Sequence, residues 1–312
     1  MKRNFKDYIS LTLKGMGMGA ADVVPGVSGG TIAFITGIYE ELINSIKSVN
    51  LKAVKKLFSK GFKSFWEHVN ANFLLAILIG IFISVLTLAK ALEYLLVNEP
   101  ILIWSFFFGL IIASAIVVAR KISLWNARTI IAIIAGVAIA YIITEVTPAE
   151  TTEAYWFIFF SGALAICAMI LPGISGSFIL LLLGKYQFIL NALNQAKFDV
   201  IAVLGLGAII GLLAFSNVLS WLLKKYHEIT IAVLAGFMIG SLNKIWPWKI
   251  IIETYTDSYG EVKPLIEENV LPGTFESVAS QDPKIWAAIG LMLAGFLTII
   301  VMENFTGKKK TV

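Results

Sequence analysis

The 312-residue chain is 58% hydrophobic and only 14% charged, with a mean hydropathy of +0.84 and a formal net charge of +5. This balance excludes a soluble globular domain and fits a polytopic membrane protein; the excess of basic residues follows the membrane and is no nucleic-acid signature. The single cysteine, Cys167, excludes an internal disulfide and reads as a small packing residue.

In chain order, MKRNFKDYISLTLKG has neither an uninterrupted apolar core nor an A-x-A site, so no cleaved signal peptide is expected. DVVPGVSGGT follows, from Asp22 to Thr31, and its proline and glycines must interrupt any helix. Neither arm around Pro25 is apolar enough to cross a bilayer, since one holds Lys14 and Asp22 and the other soon reaches Glu40 and Glu41. A re-entrant helical hairpin over 8–48 is therefore predicted. LKAVKKLFSKGFKSFWEHV carries apolar residues at helical spacing with lysines on the remaining face, which predicts an interfacial helix over 51–69 on an anionic leaflet. Spanning helices are predicted at 73–97, 101–119 and 129–146. A second break, LPGISGS, sits in a second predicted hairpin over 154–195, followed by spans at 200–223, 229–246 and 285–302. The polar stretch 247–283 is predicted to be an extracytoplasmic loop. The apolar runs are continuous and lack two-residue alternation, which favours helices over a barrel.

The chain reads twice. PGVSGGTIAFITGIYEELINSI from Pro25 and PGISGSFILLLLGKYQFILNAL from Pro172 share eight identities in 22 positions at an offset of 147. A second block repeats at an offset of 127, pairing Gly80 with Gly207, Gly109 with Gly236 and Ser114 with Ser241. The predicted fold is thus all-α, with two repeats, 1–147 and 148–312, each a re-entrant hairpin plus three transmembrane helices. With both hairpins counted as non-crossing, 18 of the 25 basic residues fall on one side, the positive-inside pattern, with both termini cytoplasmic. Three crossings per repeat invert the second relative to the first, the layout of many secondary transporters.

Breaks at membrane depth mark transport sites in such folds, and a helix N-terminus suits an anion such as phosphate. The expected binding residues are Asp22, Pro25, Gly26, Ser28, Gly29, Gly30 and Thr31 in the first break, and Pro172, Gly173, Ser175, Gly176 and Ser177 in the second. The bland alternative makes the motifs hairpin tips and the hydroxyls helix caps. Asp22, opposite Met169 in the repeat, is expected to pair with a base, to hold a loop N–H, or to carry a coupling proton or ion; Glu40 and Glu41 are further coupling candidates. Lys14, Arg120, Lys121 and Arg128 are placed to attract a headgroup, although anchoring alone accounts for them. Lys90 and Glu93 are expected to pair locally. His68 and His227 stand isolated and are expected to be solvated, so no metal or other cofactor is predicted. Tyr94, Trp104, Trp156, Trp221, Trp246 and Trp248 suggest an aromatic belt.

The run GMGMGAADVVPGVSGGTIAFITGIYEELI, from Gly15 to Ile43, closely resembles the signature of the polyprenyl-phosphate transporter (PopT) family, long catalogued as a domain of unknown function. LPGISGS and GSLNKIWPW fit it too, so the resemblance covers nearly the whole chain. It implies a flippase of the bacterial or archaeal cytoplasmic membrane. Such a protein returns undecaprenyl phosphate from the outer to the inner leaflet, with the polyprenyl-phosphate lipid and the bilayer as partners and no nucleic acid. The residues alone leave open a transporter or channel for a small anion or other small solute. An intramembrane lipid-phosphate enzyme would need a nucleophile or metal cluster that the sequence does not offer.

Overall fold

The computed structural model describes residues 3–24, 27–148, 151–256, 260 and 262–307; Pro25, Gly26, the Glu93 side chain and the lysines at 308–310 lie outside the described residues. The first half comprises α1 (Phe5–Val23), α2 (Gly29–Ile35), α3 (Tyr39–Ser48), α4 (Leu51–His68), α5 (Ala71–Asn98), α6 (Pro100–Ala119) and α7 (Ala127–Glu145). The second comprises α8 (Tyr155–Ile170), α9 (Gly176–Leu182), α10 (Tyr186–Asn194), α11 (Phe198–Lys225) and α12 (His227–Ser241). It continues with strands β1 (Lys249–Thr256) and β2 (Val262–Asn269), then α13 (Pro272–Ala279) and α14 (Ile285–Gly307).

Helices α5, α6, α7, α11 and α14 are long and apolar enough to cross a bilayer, as a multi-pass membrane protein requires. Helix α6 is the central one, 67% buried over its apolar window, against 17–33% for the other four. The predicted span at 229–246 is shorter in the structure. Helix α12 stops at Ser241, and its 15 residues reach only about 22 Å at ~1.5 Å per residue. Residues 242–245 form turns before Pro247, which disfavours helix at the residue preceding it.

Three further elements refine the sequence reading. Each broken segment continues past its short arm into another helix, and the α9–α10 corner bends by 107°. Helix α4 fills the predicted interfacial stretch but kinks at Gly61, whose φ of +78° is a left-handed conformation that glycine adopts at little cost. The predicted loop at 247–283 holds an antiparallel β1–β2 hairpin and α13. Trp246 and Trp248, assigned to an aromatic belt, pack beneath it. Trp246 Nε1 donates to Val270 O (2.8 Å) and Trp248 Nε1 to Pro283 O (2.9 Å). Tyr94, Trp156 and Trp221 are exposed, as a belt requires.

The duplication recurs in the packing. A Cβ on Gly15 would strike Ile77 O, and one on Gly162 would strike Leu204 O; a Cβ on Gly80 would strike Thr12 O, and one on Gly207 would strike Phe159 O. These are the same two crossings, α1 on α5 and α8 on α11, displaced by 147 on one helix and 127 on the other. Gly109 meets Met292 O as Gly236 meets Ile133 O, and Gly295 meets Phe106 O as Gly136 meets Val233 O. Helix α6 therefore packs on α14 as α12 packs on α7. Small residues at these crossings let the backbones touch, the main source of helix association where lipid removes the hydrophobic drive. Gly80→Val and Gly207→Val are accordingly expected to lower the thermal midpoint in detergent by similar amounts, each through roughly 1–3 kcal/mol of overpacking. A large drop for one and none for the other would contradict the equivalence.

Ion pairs define the two ends of the bundle. Lys284 pairs with Glu99 at the start of α6, and Arg120 pairs with Glu303 at its end (3.8 Å), so α6 and α14 run parallel. Ser123 N donates to Glu228 Oε2 (2.7 Å), which brings the α11–α12 turn to the Arg120 end. Lys121 Nζ donates to Phe34 O (3.3 Å), so α2 also finishes there. Thr151, beyond the far end of α7, bonds Leu183 O and Lys185 Nζ, so α9 finishes at the Lys284 end. The two broken segments thus open toward opposite ends.

Candidate functional site

The breaks meet. Ser28 Oγ donates to Met169 O (2.7 Å), Gly173 N donates to Thr31 Oγ1 (3.2 Å), and Tyr39 Oη donates to Ile170 O (3.2 Å). Met169 and Ile170 are the last residues of α8 before its break, and Gly173 lies within it. Gly30 seats its backbone against Ile170 O, where a Cβ would collide. Gly173 holds φ at +90° close to Phe237 O and Ser241 Oγ of α12, a position that needs glycine for both conformation and space.

The two breaks are otherwise unlike. In the first, every early N–H of α2 is satisfied from within: Asp22 Oδ1 accepts Gly29 N (2.7 Å), Ser28 Oγ accepts Gly30 N (3.0 Å), and Ser28 O accepts Thr31 N (2.9 Å). Ser28 and Thr31 are completely buried. Ser28 is therefore an N-cap and an inter-break strut, and Asp22 holds a loop N–H. The second break has no side-chain cap on α9. Ser175 Oγ and Ser177 Oγ bond each other (2.8 Å); Ser175 is buried, while Gly176 and Ser177 are half-buried. Pro172 is buried at the turn.

Charged residues flank the short arms. Lys14 Nζ donates to Thr36 O (2.7 Å), and the Lys121 ammonium sits 4.4 Å from the centre of the Phe34 ring, so both lysines serve the C-terminal end of α2. At the second break Lys244 sits 5.1 Å from the centre of the Phe178 ring, next to Ser177. Lys185 is 2% exposed, donates to Thr151 O (2.8 Å) and lies between the Phe157 and Phe188 rings.

The remaining expected residues are scattered. Glu41 forms a bidentate pair with Arg3 (2.7 and 2.6 Å) and accepts from Asn70. Burial pushes its carboxyl up, but the Arg3 and Asn70 contacts together outweigh burial and hold it below the usual carboxylate range. A partner that fixed makes Glu41 an anchor of the N-terminus. Glu40 and Arg128 are exposed at element starts, and Arg120 is engaged by Glu303. His68, expected to be solvated, is half-buried instead, with Lys56 Nζ 3.0 Å from its Nδ1. Cys167 Sγ lies 3.7 Å from Gly211 O in a helix crossing, consistent with a packing residue. Among the described residues no group of three His, Cys, Asp or Glu side chains comes together to hold a metal.

Sequence reasoning missed Lys185 and Lys244. Lys185 faces Ile38 in the repeat alignment, and a charge opposite an isoleucine is the signal that marks it. Lys244 lies inside the quoted GSLNKIWPW run.

A family model described as undecaprenyl phosphate translocase-like matches residues 18–263, spanning both breaks. A polyprenyl-phosphate transporter of Vibrio cholerae is 46% identical over 302 residues, covering 97% of this chain and 98% of that protein. A polyprenyl-phosphate transporter of Staphylococcus aureus is 34% identical over 256 residues, covering 75% of this chain and 85% of that protein. No solved structure matches.

Proposed function

This chain belongs to the undecaprenyl phosphate translocase-like family, and from that premise we propose that it returns undecaprenyl phosphate from the outer to the inner leaflet of a bacterial or archaeal cytoplasmic membrane. In this reading it is a transporter of a polyprenyl-phosphate lipid and performs no covalent chemistry. The carrying observation is that two helix breaks opening toward opposite ends touch through Ser28, Thr31 and Gly173. A headgroup at such a junction changes sides by a small rocking of one repeat against the other, while its tail stays in lipid.

The second break takes the phosphate. Its uncapped α9 and the Ser175–Ser177 hydroxyl pair offer donors, whereas those of the first break already bond within the fold. Lys244, whose ammonium lies against the ring of Phe178, supplies positive charge on this arm. The first break provides the wall against which the second is held, and Asp22 carries the coupling charge. Sidedness follows the lysines, with the Arg120 end cytoplasmic and the repeats 1–147 and 148–312 inverted.

The test is reconstitution in liposomes with a leaflet-selective probe for polyprenyl phosphate. Transport of the phosphate but not of uncharged polyprenol is expected; uptake of small anions without lipid movement would favour the channel alternative. Sidedness has its own check. On a Cys167→Ser background, Lys224→Cys and Glu276→Cys are expected to react with impermeant maleimide from opposite sides. Reaction from one side would overturn the orientation.

A further inference from the structure

At the Lys284 end, a cavity of about 220 Å³ lies between the end of α7, the turn after α12 and the β-hairpin. Two ammoniums converge on one oxygen in its wall: Lys244 Nζ and Lys249 Nζ lie 3.4 and 3.3 Å from Glu267 Oε2. The Lys249 side chain is only 7% exposed, donates to Lys244 O (2.7 Å) and stacks its charge 4.6 Å from the centre of the Trp104 ring. A single carboxylate oxygen thus faces two cations, one of them almost fully buried. Glu145 and Glu268 also line the cavity, but both are exposed at its rim, and Glu145 is engaged by Asn243 Nδ2 (2.6 Å). Water and salt screen such rim charges far more than they screen the buried pair.

We propose that this cavity is the capture site for the phosphate headgroup at the extracytoplasmic face, with Glu267 as a built-in surrogate anion that the phosphate displaces. The proposal rests on the transporter reading above. A phosphate carries up to two charges and several acceptor oxygens, so it matches two convergent ammoniums better than one carboxylate oxygen does. Lys244 then joins capture to transport, because its ammonium also lies against Phe178, the neighbour of Ser177 at the second break. Displacing Glu267 removes the Lys244 tie between β2 and the turn after α12, while Asn269 Nδ2 still holds Asn243 O (2.8 Å) and Trp246 Nε1 still holds Val270 O, so the hairpin stays in place as the headgroup loads.

Burial is the main influence on Lys249 and pushes its ammonium down to about 8, with Lys244 acting in the same direction and Glu267 against it. The other groups facing it are Glu268 on β2 and Glu145 and Tyr141 on α7. Headgroup affinity is therefore expected to fall as pH rises from 7 to 9, as the ammonium is lost.

The experiment titrates the full chain in nanodiscs with short-chain polyprenyl phosphate, inorganic phosphate and polyprenol, reading the fluorescence of the nearby tryptophans. Lys244→Gln and Lys249→Gln should each weaken polyprenyl-phosphate binding at least fivefold, and Lys244→Arg should restore most of it. Glu267→Gln, which keeps an acceptor oxygen but removes the competing charge, should tighten binding about threefold. Inorganic phosphate should bind at least tenfold more weakly than the lipid phosphate; equal affinities would assign the cavity to free phosphate and overturn headgroup capture. Unchanged binding in the lysine variants, or weaker binding in Glu267→Gln, would also overturn it. If those variants bind and transport normally, the transporter reading stands and only the capture site falls. If the wild-type chain moves no polyprenyl phosphate, the reading itself has failed.

Discussion

Replacing Gly30 by alanine is expected to reduce transport by roughly tenfold to a hundredfold. The added Cβ would drive into the carbonyl of Ile170, a backbone atom of the opposite break. No flexible side chain can give way there. Overpacking of this kind costs about 1–3 kcal/mol, and the strain falls on the contact that holds the two breaks together. If it is relieved by separating them, Ser28 loses Met169 O and Thr31 loses Gly173 N. Gly205→Ala is the control, because a Cβ there meets nothing within 4 Å. Both variants are compared as initial rates at equal membrane abundance. A Gly30→Ala rate equal to that of Gly205→Ala would show that the junction tolerates opening and plays no part in transport.

Asp22→Asn is expected to lower transport at least tenfold while leaving the fold intact. The bond from Gly29 N to Asp22 Oδ1 (2.7 Å) survives, since the asparagine side chain keeps an acceptor oxygen. Only the charge disappears. Asp22→Ala removes the acceptor as well, leaves Gly29 N unpaired inside the protein, and should reduce thermal stability by about 1–3 kcal/mol. The pair separates two roles for one residue. Normal transport in Asp22→Asn together with loss of stability in Asp22→Ala would reduce Asp22 to a loop clasp.

Much of this architecture is legible in the residues. The PG-x-SG repeat and the glycine register at 127 mark the elements that pack equivalently, because backbone crossings in lipid need small residues at fixed positions. Gly80 and Gly207 align in sequence and perform the same contact. The difference between the breaks is not legible. Ser28 and Ser175 align, yet one is a cap and strut while the other pairs with Ser177. The distinction depends on Asp22, which has Met169 as its counterpart, and on Gly30, whose counterpart is Ser177. The β1–β2 hairpin is equally hidden: KIIIETYT alternates too weakly to announce a strand, and Glu267 gains meaning only when pairing with β1 brings it to Lys249. Residues such as Trp248 look interfacial by composition but are recruited to a small core with Ile101, Phe275 and Ala288.

In the proposed cycle the headgroup occupies the second break as it changes sides. Ser177→Cys on a Cys167→Ser background places a half-buried thiol at that point. Its rate of alkylation by a small maleimide is measured in nanodiscs with short-chain polyprenyl phosphate, with polyprenol, or with neither. The phosphate is expected to slow alkylation at least fivefold, while polyprenol leaves it unchanged. Equal protection by both lipids, or none by the phosphate in a variant that still transports it, would place the headgroup elsewhere than the second break.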